Sequence, residues 1–162
     1  SLTQAPSLPA TALKDSCYAN MFFGCTSLTQ APSLSAMTLA KSCYALMFSS
    51  CNGLTQTPEL PATTLADTCY MQMFQYCKNL KKAILPNATV YNVYLPYAGM
   101  FKGCTNLNYI KALFDGSGTT VGATWVEGVA TSGTFVKRKG YNYWSTGTDG
   151  IPSGWTVQEA ES

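Results

Sequence analysis

The chain contains no histidine among its 162 residues, carries little charge, and has no long apolar run. Without an imidazole, Ser-His-Asp and Cys-His nucleophile systems are excluded and the commonest metal ligand is missing. Charged residues make up 11% of the sequence, against about a quarter in an ordinary domain. The surface must therefore be built largely from Thr, Ser, Asn and Gln. A formal charge of +2 is too small to draw the chain to nucleic acid or to an anionic membrane, and the longest basic run is Lys137, Arg138 and Lys139. No segment approaches the roughly 20 apolar residues of a membrane span, and the first residues lack the charged and apolar blocks of a signal peptide. Ser1 falls in the middle of a repeat, so the expectation is a mature fragment of a longer protein with any export signal or anchor outside it.

What the chain does have is apolar residues, 46% of the total, enough for a substantial core. It also repeats itself. Leu2, Leu28, Leu54, Leu80 and Leu107 head successive copies at spacings of 26, 26, 26 and 27 residues. The first three copies, such as LTQAPSLSAMTLAKSCYALMFSSCNG from Leu28, are nearly identical. The fourth keeps Pro86, Tyr97, Met100, Phe101 and Cys104 but carries Pro96 where the others have Cys17, Cys43 and Cys69. Units of this length cannot fold alone and must stack. The first half of each, Leu28 to Leu34 for example, reads as extended: threonine favours strand, and Pro32 disfavours helix while lacking a ladder donor. In the second half Tyr18 and Phe22 lie four apart, as do Cys17 and Met21. That spacing predicts a short helix, with Asp15 or Ser16 capping its start and Gly24 or Gly103 ending it.

The segment CYANMFFGCTSLTQAPSLPATAL resembles the BspA-like leucine-rich repeats of bacterial surface proteins. Phe22, Gly24, Cys25 and Leu28 match the aromatic-x-Gly-Cys-x-x-Leu core of those repeats, as do Phe101, Gly103, Cys104 and Leu107, and the likeness covers roughly residues 1 to 113. The closing segment from Gly133 is similar to those that follow such repeats. The resemblance implies an exported or surface-displayed protein of bacterial type, in a family with members in adhesion. Together with the repeat pattern it gives the expected fold: an α/β leucine-rich-repeat solenoid of about 26 residues per repeat, one short strand plus one short helix each, with a C-terminal cap. The repeats are expected over residues 1–114 and the cap, continuous with them, over 115–162.

The seven cysteines fall into two rows, Cys17, Cys43, Cys69 and Cys25, Cys51, Cys77, Cys104. Equivalent positions in stacked units sit about 5 Å apart, which suits either a disulfide or a ladder of buried thiols. The ladder is the simpler reading, because a three-membered row strands one partner and free cysteine is readily buried. A within-unit spacing of eight residues, without histidine, matches no structural zinc site, so neither metal nor cofactor is expected. The acidic residues are scattered. Asp15 and Asp67 share a repeat position that reads as solvated or capping, and Gly116 to Gly122 matches no phosphate loop. No catalytic residues are assigned and the chain does not read as an enzyme.

If the strands line one face, the residues after each leading leucine point outward, in rows Thr3, Thr29, Thr55, Lys81, Asn108 and Gln4, Gln30, Gln56, Lys82, Tyr109. The candidate ligand-binding residues are Lys81, Lys82, Tyr109 and Lys111, where positive charge and an aromatic replace Thr and Gln. The Tyr, Met and Phe rows read as core. In the tail, Trp125 and Val129 suggest one more short helix and GTFVK one more strand, and Tyr141, Tyr143, Trp144, Ile151, Pro152 and Trp155 are expected to fold over the end. The functional expectation is a non-catalytic surface or secreted adhesion module for a host or bacterial surface protein or glycan. The alternative is a structural spacer or assembly component of a cell-surface or virion appendage. Oligomeric state stays open.

Overall fold

The structure, a computed structural model, describes residues 2–115 and 121–161. Most of the Gly116 to Gly122 run lies outside them. The chain winds into coils that stack in parallel. Gln4 pairs with Gln30, Leu8 with Leu34, Thr38 with Thr64 and Gln56 with Lys82 as isolated bridges. Further along, the same ladder becomes a four-stranded parallel sheet in chain order: β1 (Lys82–Ile84), β2 (Tyr109–Ala112), β3 (Thr134–Lys137) and β4 (Thr156–Glu159).

Proline explains why strands form late. The register aligns Lys82 with Tyr109, Ile84 with Lys111, Lys111 with Val136 and Val136 with Gln158. Carried back through the Gln4–Gln30 and Gln56–Lys82 bridges, that row is Pro6, Pro32 and Pro58 in the first three coils. A proline there has no N–H to give to a ladder, so those coils make single bridges. Where Ile84, Lys111, Val136 and Gln158 replace it, regular strands appear.

The expected short helix in each repeat is not there, and the strand-plus-helix leucine-rich-repeat reading is overturned. Among the described residues every named element is a strand, and helical geometry is limited to Val121. The second half of each coil is instead a chain of overlapping turns. In the second coil, the N–H groups of Cys43, Ala45, Met47, Ser49 and Cys51 bond back three residues within the coil. Those of Ser42, Tyr44, Leu46, Phe48 and Ser50 cross to carbonyls of the next coil at 2.8–3.0 Å. Turns 40–43, 44–47 and 48–51 place Ser42, Leu46 and Ser50 at their third position with φ of 52°, 57° and 63°, as type II turns require. Asp15, Ser16 and Gly24 therefore cap no helix: Asp15 accepts the Lys41 N–H of the next coil, while Ser16 and Gly24 occupy positive-φ corners. The segment around Trp125 and Val129 is likewise a run of turns, with Thr124 and Gly128 at positive φ.

This geometry turns two consecutive side chains inward for every four residues. Cys43 and Tyr44, then Met47 and Phe48, are buried, while Leu46 and Ser50 at the corners are less so. Stacking lines up the inward groups as columns. Tyr18, Tyr44, Tyr70 and Tyr97 stack at 5.6–6.1 Å and end on Phe114 at 4.7 Å. Phe22, Phe48, Phe74 and Phe101 stack at 5.5–5.9 Å and end on Trp125. Trp125 donates to the Gly150 carbonyl and Trp155 to that of Ala130, which ties the last coils to the column. Of the expected closing residues, Ile151, Pro152 and Trp155 are buried and Trp144 packs on Phe135, whereas Tyr143 faces solvent.

The corner row Gly24, Ser50, Tyr76, Gly103 and Gly128 mixes glycine with residues that resist positive φ. A left-handed non-glycine residue costs about 1–2 kcal/mol, against the 0.5–1 kcal/mol entropic cost of glycine. Ser50→Gly should therefore raise stability by up to about 1 kcal/mol. Gly103→Ala should lower it by about 1–3 kcal/mol, because its Cβ would also run into the Tyr76 ring. Paired urea melts check the opposite signs, and equal signs would contradict the turn geometry.

Candidate functional site

The first two strands of the sheet alternate cleanly. Ala83 and Ile110 point into the core, and Lys82, Ile84, Tyr109 and Lys111 point out. The parallel register sets Lys82 beside Tyr109, with the ammonium 5.4 Å from the ring centroid. An ammonium at that distance from an aromatic face gains about 0.5–1 kcal/mol at an exposed site. Lys111 lies two residues beyond Tyr109 on the same face, next to Ile84, which is 45% exposed. The structure thus brings together three of the four expected residues. Lys81 is exposed but sits ahead of β1, where its carbonyl accepts the Asn108 and Tyr109 N–H groups. Ile84 belongs to the patch and was missed in sequence because its counterparts in the repeat are prolines.

Alongside this patch run shallow grooves that follow the coils. One of about 510 Å³ lies between the second and third coils, lined by Gln30, Pro32, Gln56 and Pro58. The next, about 370 Å³, is bounded by Gln56, Pro58, Lys82 and Ile84, so the uncharged groove runs into the basic end of the face. Glu59 lines both and offsets part of the lysine charge.

All seven cysteines are free. Cys51, Cys77 and Cys104 each donate Sγ–H to a carbonyl of the preceding coil, those of Phe22, Phe48 and Phe74, at 3.0 Å. Burial pushes the Cys43 thiol up to about 11 and those of Cys51, Cys69 and Cys104 to about 12. Protonated, enclosed thiols are poor nucleophiles and poor metal ligands. Among the described residues no group of three acidic or Cys side chains could hold a metal ion.

Most carboxylates have structural partners. Asp15 and Asp67 accept backbone N–H groups of the next coil, and Asp149 accepts that of Thr124 in the preceding one. Glu127 pairs with Lys102 at 3.2 Å. Glu159 pairs with Lys137 at 2.9 Å, which together with the Gly140 N–H holds its carboxyl below the usual range. Lys137 is nearly enclosed and also donates to the Tyr141 carbonyl and to Asn142 Oδ1.

The thiols give a signed pH dependence. In the unfolded chain a thiol ionises near its ordinary value of about 9, whereas the folded chain keeps these protons up to about 11–12. The unfolded state therefore binds fewer protons in that window, and stability should fall as pH rises through it. The urea midpoint under reducing conditions should drop between about pH 8 and pH 10.5 and recover on return; a flat midpoint would contradict enclosed thiols. Alkylation of the native chain at pH 8 should reach Cys17 and Cys25, which are not buried, well before the other five.

No family model matches the chain, and neither a curated protein nor a solved structure matches it.

Proposed function

We propose that the chain is a non-catalytic binding module, surface-displayed or secreted, that recognises a protein or glycan partner through the outward face of its coils. The observation that carries this reading is the Lys82–Tyr109 pair, held in register on a regular sheet beside Lys111 and Ile84 and opening onto the adjoining groove. An ammonium over an aromatic ring, a second ammonium and an exposed aliphatic side chain form a patch suited to an acidic glycan or an acidic protein surface. The face is preorganised, since backbone ladders fix the spacing of its side chains before any partner arrives. The near-identity of the first three coils supports a second reading, a spacer or assembly component whose outward face is mostly structural.

Retention on immobilised heparin tests the first reading. The chain should bind at low salt and elute as screening shortens the Debye length. The double variant K82E/K111E should bind at least about tenfold more weakly, a loss of about 1.4 kcal/mol, with an unchanged circular dichroism spectrum. Retention equal in the variant would remove the assigned face. Absence of retention accompanied by concentration-dependent self-association in sedimentation would favour the spacer.

A further inference from the structure

A different concavity lies beyond the C-terminal ends of β1, β2 and β3, and none of the lysines of the outward face lines it. Its volume is about 460 Å³, within the range of about 300–1,000 Å³ common for small-ligand sites. The segment after β1 contributes Asn87, Val90 and Tyr91, the residues after β2 contribute Phe114 and Asp115, and those after β3 contribute Arg138 and Tyr141. Phe114 and Val90 are buried and make an apolar floor. Tyr91 stands at the rim with 79% of its surface exposed, the highest value among the large apolar side chains described. Its ring, at the mouth of the cleft, is open to face-on contact from solvent.

The wall of this cleft is fixed from behind. Lys137 donates to the Tyr141 carbonyl at 2.7 Å, to Asn142 Oδ1 at 2.9 Å and to Glu159 Oε1 at 2.9 Å, with its side chain 11% exposed. The Gly140 N–H adds a bond to the same carboxylate. Arg138 lies over the Tyr141 ring at 5.5 Å. A buried ammonium with three acceptors thus pins the loop that carries both side chains, and less ordering is left for a ligand to impose.

We propose that this cleft binds a neutral pyranose unit of a glycan, with Tyr91 as the stacking platform and Asn87, Asp115 and Arg138 as the hydrogen-bonding groups. The charges argue for neutrality, since Arg138 and Asp115 offset one another and the cleft has no net attraction for an anion. The shapes argue for a sugar. A pyranose offers an apolar C–H face to a tyrosine ring and a rim of hydroxyls to amide, carboxylate and guanidinium, groups that both donate and accept. The site stands apart from the outward lysine face, and the two fail independently.

Saturation-transfer NMR of the whole chain with cellotetraose, chitotetraose and mannotriose tests the proposal. Transfer to ring C–H protons of at least one probe is expected and should persist at about 0.5 M salt. Tyr91→Ala should weaken binding about tenfold or more, while Tyr91→Phe should retain it; the side chain is exposed, so both variants keep the fold, as circular dichroism would verify. K82E/K111E should bind these probes as the parent chain does. Absence of transfer from all three probes, transfer undiminished in Tyr91→Ala, or transfer lost in K82E/K111E would each overturn the assignment.

Discussion

Everything in this molecule depends on one backbone arrangement, in which every second N–H of the turn segment leaves its own coil and bonds to the next. A chain that sends alternate donors along the stack must satisfy the others locally, and it does so by turning back three residues at a time. Such a path needs a left-handed corner at every fourth residue. Between corners it presents two neighbouring side chains to the interior, so Cys, Tyr, Met and Phe rows all reach the core from one segment. The same ladder fixes the coil spacing, and thereby the ring-to-ring distances of the Tyr and Phe columns and the thiol-to-carbonyl bonds. Even the thiol of Cys77 follows from it, since the Phe48 carbonyl it reaches belongs to the coil behind. Polar groups are otherwise costly inside such a stack. The hydroxyls of Tyr70 and Tyr97 are buried without a protein partner among the described residues, and the column ends on Phe114, which has none to satisfy.

The repeat, its register and the thiol rows were legible in sequence because stacking requires equivalent positions to meet. The turn segment was not, and the reason is specific. Pairs such as Tyr18 with Phe22 and Cys17 with Met21 are four apart, and a period of four is close enough to the 3.6 of a helix to mimic one over three turns. The discriminating signal was at the corners. Ser16, Asn20 and Gly24 recur at intervals of four, as do Gly99 and Gly103, and a glycine or asparagine at every fourth position weakens a helix while suiting positive φ. Leu46, Gln72 and Tyr76 hid that signal, because their side chains suggest no turn although their backbones are left-handed.

The outward lysine patch divides in the same way. Lys82, Tyr109 and Lys111 could be placed together because the repeat register extends into the degenerate fourth copy. Ile84 could not be weighed, since its role depends on replacing a proline, and Lys81 was read as outward on the ladder although β1 begins after it. The cleft around Tyr91 and Arg138 was invisible for a stronger reason. Its residues fall at positions that the earlier coils fill with small side chains, Asn87 and Tyr91 flanking Thr89 as Ala62 and Ala66 flank Thr64, and they meet only because three successive strands end at one level.

That division shows where variation is tolerated. Coils one to three devote their inward positions to columns that must match their neighbours, so a change there is felt in two coils at once. Outward positions and strand ends carry no such coupling. The fourth coil and the tail use this freedom twice: replacing the proline row lets a true sheet form, which holds charged side chains at fixed spacing, and new side chains after the strands, Tyr91, Asp115 and Arg138 among them, line a cleft. Both depart from the repeat and both are braced by it, the first through the β1–β2 register and the second through Lys137 on β3. A solenoid with identical coils throughout would have neither the rigid basic face nor the walled cleft, so the degenerate C-terminal half, where the copies stop agreeing, is where recognition is best sought.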